Sequence, residues 1–163
     1  MQITGMLWGR KLLDLVEFPH SEVRGPELSV DEIKDMIKRH GMVFIKPLFK
    51  GGVGKKGKAG LMGRVDNITD ALKEKERLYF AEHVDGFSKV KSDGVTYEGA
   101  VPAEYEVYFS ISESTEHRCP IMTVTHHGGV DIEELPEDKI KVVPFDSLTG
   151  LKAYHVSNAL MEL

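Results

Sequence analysis

The segment that most restricts the fold of this chain is a stretch rich in glycine and lysine, residues 44–63, with the sequence FIKPLFKGGVGKKGKAGLMG. It holds six glycines and five lysines in twenty positions. Glycine lets the backbone approach a ligand closely, and lysine neutralises negative charge. This composition favours an anion-binding loop, with a solvated lysine-rich turn as the simpler alternative.

Two phosphate-binding patterns can be read from Gly52 onward. The letters GVGKKG fit the dinucleotide pattern G-x-G-x-x-G, and GVGKKGKA fits the Walker A pattern except at Ala59, which has no hydroxyl for Mg²⁺. Both motifs need a helix directly after the loop, because its N-terminal N–H groups bind the phosphate. Gly60 and Gly63 disfavour such a helix by roughly 1 kcal/mol each, and no helix start occurs before Asn67. The sequence therefore predicts a strand, a glycine-rich loop and a returning strand.

Two helices are predicted on either side of this hairpin. The first begins at the capping box SVDE, residues 29–32, and ends at Gly41, a glycine in the position typical of a helix C-terminus. The second lies within residues 66–83, with Asn67 or Thr69 as its N-cap. Apolar residues recur on one side of each segment, which predicts that both helices pack against a core.

From about residue 95 the pattern changes to strands. In EVYFSI, the apolar Val107, Phe109 and Ile111 alternate with other residues, which predicts a strand with one buried face. PIMTVT follows after a turn as an antiparallel partner, and GGVDIEEL and KIKVVPF are further extended segments. The final LKAYHVSNALMEL has the pattern of a helix that begins near the end of the chain.

Charge and cysteine content restrict the classes of partner. The chain of 163 residues has a formal net charge of −5 with neutral histidines, and Cys119 is its single cysteine. An acidic protein is not expected to bind nucleic acid or membrane surfaces in general. A lone cysteine forms no internal disulfide, and no run of about 18 apolar residues occurs. We therefore expect a cytoplasmic protein without a nucleic-acid or membrane partner.

Three segments, in order along the chain, resemble one protein family. IKPLFKGGVGKKGKAGLMGRV resembles the nucleotide-binding part of the NDP-forming acyl-CoA synthetases and ATP-citrate lyases, where a strand ending in lysine precedes a glycine-rich loop. THHGGVDIEE is similar to the family segment E-G-G-V-[ED]-[IV]. DSLTG, residues 146–150, is similar to the D-P-L-T-G element of succinyl-CoA synthetase β subunits. Together the resemblance covers about residues 40–152.

The resemblance implies a fold. We expect an α/β (α+β) structure of the ATP-grasp type, with two lobes that contain mixed and antiparallel sheets. Residues 1–97 are expected to form the N-terminal segment and the small lobe with the glycine and lysine loop. Residues 98–163 are expected to begin the second lobe, which would be incomplete at its C-terminus.

The resemblance also assigns residues to the phosphate end of an ATP site. Lys46, at the end of the apolar strand MVFIK, would contact the nucleotide phosphates. Lys55, Lys56 and Gly57 would form the tip of the loop. The family usually has arginine where this chain has Lys56, and lysine keeps the charge but lacks the bidentate fork.

Further residues are assigned to the nucleoside end by the same resemblance. Glu98 and Glu106 match two glutamates, eight residues apart, near the hinge between the nucleotide-clamping halves. A carboxylate there can accept hydrogen bonds from the adenine amino group or the ribose hydroxyls, and Val101 would offer backbone groups along the adenine. A solvated surface carboxylate is the alternative for either glutamate.

Several catalytic parts of the family have no counterpart in these residues. Its Mg²⁺ ligands, an asparagine in E-I-N-P-L and an aspartate in D-x-K, lie downstream of D-P-L-T-G, and its phosphohistidine and CoA site also lie elsewhere. No catalytic residue or metal ligand is therefore assigned. The adjacent His126 and His127 would point to opposite faces of a strand, which disfavours a shared metal ion. We expect an N-terminal fragment that binds ATP, with Mg²⁺ bound in the complete enzyme.

The expected function is the ATP-binding portion of an acid–thiol (carboxylate–CoA) ligase of the succinyl-CoA synthetase β or ATP-citrate lyase kind. Its expected partner is the remainder of the ligase or a second subunit that carries the CoA site. The alternative is a non-catalytic nucleotide-binding or subunit-interaction module. A carboxylate–amine ligase of the ATP-grasp type is a more distant alternative, which GGVDIEE and DSLTG disfavour.

Overall fold

The computed structural model describes residues 6–49, 60–85, 88–129, 132 and 135–163. The chain divides into two compact units, Met1–Pro102 and Ala103–Leu163. Each unit buries its own cluster of apolar side chains, because each contains a sheet with helices packed on one face.

The first unit combines helices with two antiparallel sheets. Its strands are β1 (Val23–Arg24), β2 (Val43–Pro47), β3 (Gly63–Val65), β4 (Glu82–Asp85), β5 (Ser88–Lys91) and β6 (Val95–Gly99). Its helices are α1 (Met6–Leu15), α2 (Val30–His40) and α3 (Ile68–Tyr79). The main sheet has the order β1-β6-β2-β3, and β4 and β5 form a separate hairpin.

Side-chain alternation along β2 separates the two faces of the main sheet. Val43, Ile45 and Pro47 are buried, whereas Phe44 and Lys46 between them are only partly covered. The buried face packs against apolar residues of α2 and α3 in one cluster. The opposite face is therefore the one on which β2 can present a charged side chain.

The predicted capping residues begin α2 and α3 and end α2. Ser29 and Glu32 form a reciprocal capping box at the start of α2, and Gly41 ends that helix with a left-handed φ of 70°. Asn67 caps α3 by accepting a hydrogen bond from a backbone N–H of the first turn. The predicted returning strand after the loop is also confirmed, since β3 pairs antiparallel with β2.

Two sequence expectations in this unit need correction. The helix expected within residues 66–83 ends at Tyr79, because Ala81 and Glu82 make strand contacts instead. The Ala81 carbonyl accepts from the Ser92 N–H at 2.8 Å, and Glu82 pairs with Lys91 of β5. Helix α1 was not predicted, since it has no acidic first turn and no basic last turn to mark its ends.

The second unit is a three-stranded antiparallel sheet with a helix. Its elements are β7 (Tyr108–Ser114), β8 (Cys119–Thr125), a 3₁₀ turn (Glu137–Lys139), β9 (Lys141–Pro144) and α4 (Ala153–Met161). The strand order is β7-β8-β9, which confirms the predicted pairing of β7 with β8 and the predicted strand and helix that follow.

The face of β7 that was predicted to be buried is exposed. Phe109 and Ile111 lie opposite Val124 and Met122, which are buried in a cluster with α4. Yet Phe109 keeps 49% and Ile111 56% of their surface exposed, and Val107 before the strand is exposed as well. The predicted burial was wrong because the packed cluster is built on β8 and β9. The apolar face of the sheet continues onto the edge strand β7, where the side chains lie outside that cluster.

The DSLTG segment forms a compact turn before α4. The Asp146 carboxylate accepts hydrogen bonds from the backbone N–H groups of Leu148 and Thr149, each at 2.8 Å. The Thr149 and then the Leu148 hydrogen bond lower the pKa of Asp146 below its usual value. Gly150 adopts a left-handed φ of 70°, which glycine tolerates without strain. The aspartate and the glycine of this motif are thus explained by local backbone geometry.

Candidate functional site

Lys46 lies near the end of β2, on the sheet face opposite the core. Its ammonium nitrogen is 5.8 Å from the ring centroid of Phe44 on the same face. Thr96 of β6 pairs with Lys46 in the sheet, and the Thr96 hydroxyl donates to the Lys46 carbonyl oxygen at 3.3 Å. The backbone of Lys46 is thus held by β6, and the ammonium group is presented from a strand of the sheet.

Lys46 forms an ion pair with Glu98 of β6. Glu98 pairs with Phe44 in the sheet, so its side chain reaches the same face as Lys46. Both side chains keep 21% of their surface exposed, which places the pair in a partly desolvated environment. The structure thereby brings together two of the residues that the sequence assigned to a nucleotide site.

Ser21 is a third member of this cluster, and the sequence did not predict it. Its hydroxyl donates to Glu98 Oε1 at 2.9 Å, while Lys46 contacts the other oxygen, Oε2. Ser21 precedes β1 and lies 77 positions before Glu98. A pairing across that separation leaves no local pattern, so only the strand order β1-β6-β2 reveals it.

The residue after Ser21 anchors the segment to the sheet. Glu22 accepts hydrogen bonds from His40 at 2.9 Å, and from Arg39 and Arg24 at 3.0 Å each. Burial alone would raise the pKa of Glu22, but these hydrogen bonds outweigh it and lower the pKa to about 2. The Glu22 carbonyl also accepts from the Gly99 N–H at 2.9 Å.

The predicted loop tip, Lys55, Lys56 and Gly57, lies outside the described residues. The chain is described again from Gly60, which has a φ of 65° and whose carbonyl oxygen accepts from Arg77 Nη1 at 2.9 Å. The chain on the C-terminal side of the loop is therefore tied to α3 at Gly60.

The N-terminal side of the loop is held by a buried serine. Ser92 is 1% exposed, and its hydroxyl donates to the Gly94 carbonyl at 2.6 Å and accepts from the Leu48 N–H at 3.1 Å. Leu48 also donates to the Gly94 carbonyl at 2.9 Å. The backbone that leads from Lys46 into the loop is therefore fixed to the segment between β5 and β6.

The two remaining predicted residues lie after β6. Val101 follows that strand in the first unit and keeps 63% of its surface exposed. Glu106 belongs to the second unit, where its carbonyl accepts from the Gly128 N–H at 2.9 Å. A Cβ on Gly128 would lie 2.7 Å from the Glu106 carbonyl carbon, and Gly129 has a φ of 98°. The glycine pair of THHGGVDIEE is thus required for close packing against Glu106.

Among the described residues, no group of three or more histidine, cysteine, aspartate or glutamate side chains is placed to hold a metal ion. The helices within those stretches are too short or too polar to cross a bilayer. His126 and His127 are both exposed after β8.

The Lys46 cluster combines a cationic, an anionic and a hydroxyl group, a set that can in principle contact the phosphates and the polar groups of a ligand. A partly desolvated ammonium binds phosphate more strongly than one in bulk water. A carboxylate held by a hydroxyl accepts hydrogen bonds from amino or hydroxyl groups. Because Lys46 and Glu98 neutralise each other, neither charge lies partly buried without a partner, which would be costly.

Comparisons with known proteins show what the chain as a whole is similar to. No family model matches the chain. A succinate–CoA ligase [ADP-forming] β subunit from Desulfatibacillum aliphaticivorans is 30% identical over 145 residues, which cover 85% of this chain and 37% of that protein. This similarity confirms the resemblance read from the three ordered motifs, and the chain spans little more than a third of that relative.

Solved structures show the fold. The acetyl-coenzyme A synthetase 1 of Ca. Korarchaeum cryptofilum, solved with coenzyme A, acetyl-coenzyme A and a phosphorylated phosphohistidine segment, matches with a TM-score of 0.60 at 14% identity, over 96% of this chain and 64% of that one. The ATP citrate lyase of Methanothrix soehngenii, solved with citrate and coenzyme A, matches with a TM-score of 0.54 at 20% identity, over 89% of this chain and 34% of that one. The expected α+β fold class is confirmed.

Proposed function

Because the chain is related over most of its length to part of the β subunits of ADP-forming succinate–CoA ligases, we propose that it is the ATP-binding portion of an acid–thiol ligase. The observation that carries the proposal is the Lys46–Glu98 pair on the open face of the β6-β2 sheet. It joins a phosphate-binding group and a hydrogen-bond acceptor at the end of the strand that leads into the glycine and lysine loop.

In this proposal ATP displaces Glu98 from Lys46. The triphosphate carries more negative charge than one carboxylate, so Lys46 turns from Glu98 to the phosphates. Glu98 then accepts hydrogen bonds from the nucleoside. Backbone N–H groups and lysines of the loop, including Lys55, Lys56 and Gly57, contact the phosphates and stabilise the charge that develops during transfer.

Val101 and Glu106 complete the proposed nucleoside end. Val101 offers backbone groups to the base from the segment that follows β6, and Glu106 accepts from the ribose hydroxyls. In the complete enzyme Mg²⁺ would supply positive charge against the phosphates, and no residue of this chain is assigned to hold it. These residues bind and orient ATP, whereas the groups that accept the phosphoryl group and CoA belong to other parts of the ligase.

The proposed partner is the remainder of the ligase, either as further chain or as a second subunit with the CoA site. The support is the uncovered apolar face of β7, where Phe109 and Ile111 continue the buried row of Met122 and Val124. A segment that packs there would extend the core of the second unit. The β subunit from Desulfatibacillum aliphaticivorans is long enough to contain such a segment, since this chain covers 37% of its length.

Calorimetric titration of ATP tests the proposed function. The wild-type chain is expected to bind ATP, and Lys46→Ala is expected to bind it roughly 10- to 100-fold more weakly, because a charge-assisted contact is lost. Lys46→Arg, which keeps the charge, is the matched control and should retain most of the affinity. Equal affinity of the wild-type chain and Lys46→Ala would contradict the assignment.

The incomplete reaction is tested separately. The chain alone, supplied with ATP, Mg²⁺, CoA and succinate or citrate, is expected to form no acyl-CoA. Turnover by the chain alone would contradict the view that the acceptor and CoA groups lie elsewhere.

A further inference from the structure

The contact between Ser21 and Glu98 has a consequence for ligand binding. We propose that Ser21 is a positioning residue of the ATP site: its hydroxyl holds the Glu98 carboxylate in place while Lys46 moves from Glu98 to the phosphates. The inference rests on the proposed function and extends it to a residue outside the three sequence motifs.

The two oxygens of Glu98 are held by different partners. Oε1 accepts from the Ser21 hydroxyl at 2.9 Å, and Oε2 contacts the Lys46 ammonium group. When Lys46 turns to a phosphate, the Lys46 contact is lost and the Ser21 contact remains. Without the Ser21 hydroxyl, the carboxylate would keep neither of these contacts once Lys46 turns away and would have to be ordered by the ligand, at a cost in conformational entropy.

The backbone presents the Ser21 hydroxyl rigidly. The Ser21 carbonyl accepts from His20 Nδ1 at 2.7 Å, and His20 Nε2 bonds Asp14 of α1 at 2.9 Å. On the other side, Val23 pairs with Glu98 in the β1–β6 register. A hydroxyl fixed between two such anchors can orient a carboxylate that is itself on a central strand.

The adjacent Glu22 strengthens this anchoring. Its side chain is bound by His40, Arg39 and Arg24, and its carbonyl by the Gly99 N–H. Ser21 therefore keeps its place when the ligand arrives, because the contacts that fix its backbone do not involve Lys46. Ser21 therefore affects ATP binding through its contact with Glu98, without a contact of its own with ATP.

A double-mutant cycle tests this role. ATP affinity is measured by calorimetry for the wild-type chain, Ser21→Ala, Glu98→Gln and the double variant, with unfolding midpoints recorded for each. Ser21→Ala is expected to weaken ATP binding about fivefold. In the Glu98→Gln background the same substitution should change affinity less than twofold, since Ser21 acts through the Glu98 carboxylate. Ser21→Thr, which keeps the hydroxyl, should restore most of the affinity.

The results of these titrations distinguish a failure of the role of Ser21 from a failure of the proposed ATP-binding function. If the wild-type chain binds ATP and Ser21→Ala binds it equally well, the role of Ser21 is wrong and the proposed function stands. Fully additive effects of Ser21→Ala and Glu98→Gln would also overturn it, since Ser21 would then act independently of Glu98. If the wild-type chain binds no ATP, the proposed function fails and the role of Ser21 fails with it.

Discussion

Glu22 accepts a hydrogen bond from His40, with 2.9 Å between Glu22 Oε2 and His40 Nε2. This contact ties the segment before β1 to the end of α2. The Glu22 carboxylate also accepts from the guanidinium groups of Arg24 and Arg39, and this set of contacts has a direct consequence for stability at low pH.

The first prediction concerns acid unfolding. The pKa of Glu22 is lowered from 4.5 to about 2 in the folded chain, so its stabilising contribution is present above about pH 4.5 and is lost as the pH falls towards 2. The shift corresponds to at most about 3 kcal/mol, and less after solvent screening. Denaturant unfolding of wild type and Glu22→Gln between pH 7 and 2.5 measures it.

The expected result for Glu22 is convergence at low pH. Glu22→Gln should be less stable than wild type at pH 7, and the difference should shrink as the pH approaches 2. Asp35→Asn, on the exposed face of α2, serves as a matched surface substitution. A stability difference that stays constant over the pH range would contradict this reading of the Glu22 cluster.

The second prediction concerns the packing of β6 against α2. A Cβ on Gly99 would lie 2.6 Å from His40 Cγ, so alanine there must displace the His40 ring and its hydrogen bond to Glu22. Gly99→Ala is expected to lower the free energy of unfolding by about 1–3 kcal/mol. Gly9→Ala in α1, where a Cβ meets no atom within 4 Å, is the control and should raise helix stability by about 0.5–1 kcal/mol.

The third prediction concerns a buried hydroxyl in the core of the first unit. Tyr97 is fully buried, burial raises its pKa to about 12, and its hydroxyl finds no hydrogen-bond partner among the described residues. Tyr97→Phe should therefore be neutral or stabilising by up to about 1 kcal/mol. A destabilisation above 1 kcal/mol would show that the hydroxyl has a partner.

The neighbouring Thr96 provides the contrast to Tyr97. Its hydroxyl is equally buried but donates to the Lys46 carbonyl. Thr96→Val, which removes this hydroxyl, should lower the free energy of unfolding by about 1 kcal/mol, because the Lys46 carbonyl loses a hydrogen-bond donor. The two substitutions together compare a bonded with an unbonded buried hydroxyl on one strand by the same unfolding measurement.

Structural features that depend on residues close together in the sequence were predicted correctly. Ser29, Glu32 and Gly41 mark the ends of α2 because capping is a local hydrogen-bond pattern. Gly60 and Gly63 excluded a helix after the loop, and the structure gives Gly60 a left-handed φ and packs Gly63 against Glu74. The three ordered motifs identified the related family by the same kind of short-range information.

Features that depend on contacts between distant residues were missed. Ser21 reaches Glu98 only because β1 pairs with β6, a strand that begins more than 70 residues later. The period-two pattern at Phe109 and Ile111 correctly placed both on one face of β7. It could not show that this face stays uncovered, since burial depends on what packs against the sheet.

The most direct test of the central claim is the affinity of the wild-type chain and Lys46→Ala for AMP, ADP and ATP, measured by calorimetry under one set of conditions. If Lys46 anchors the phosphates, affinity in the wild-type chain should rise with each added phosphate, and Lys46→Ala should lose most of that rise while binding AMP nearly as well. Parallel curves for the two proteins, or an equal loss for all three nucleotides, would contradict the account.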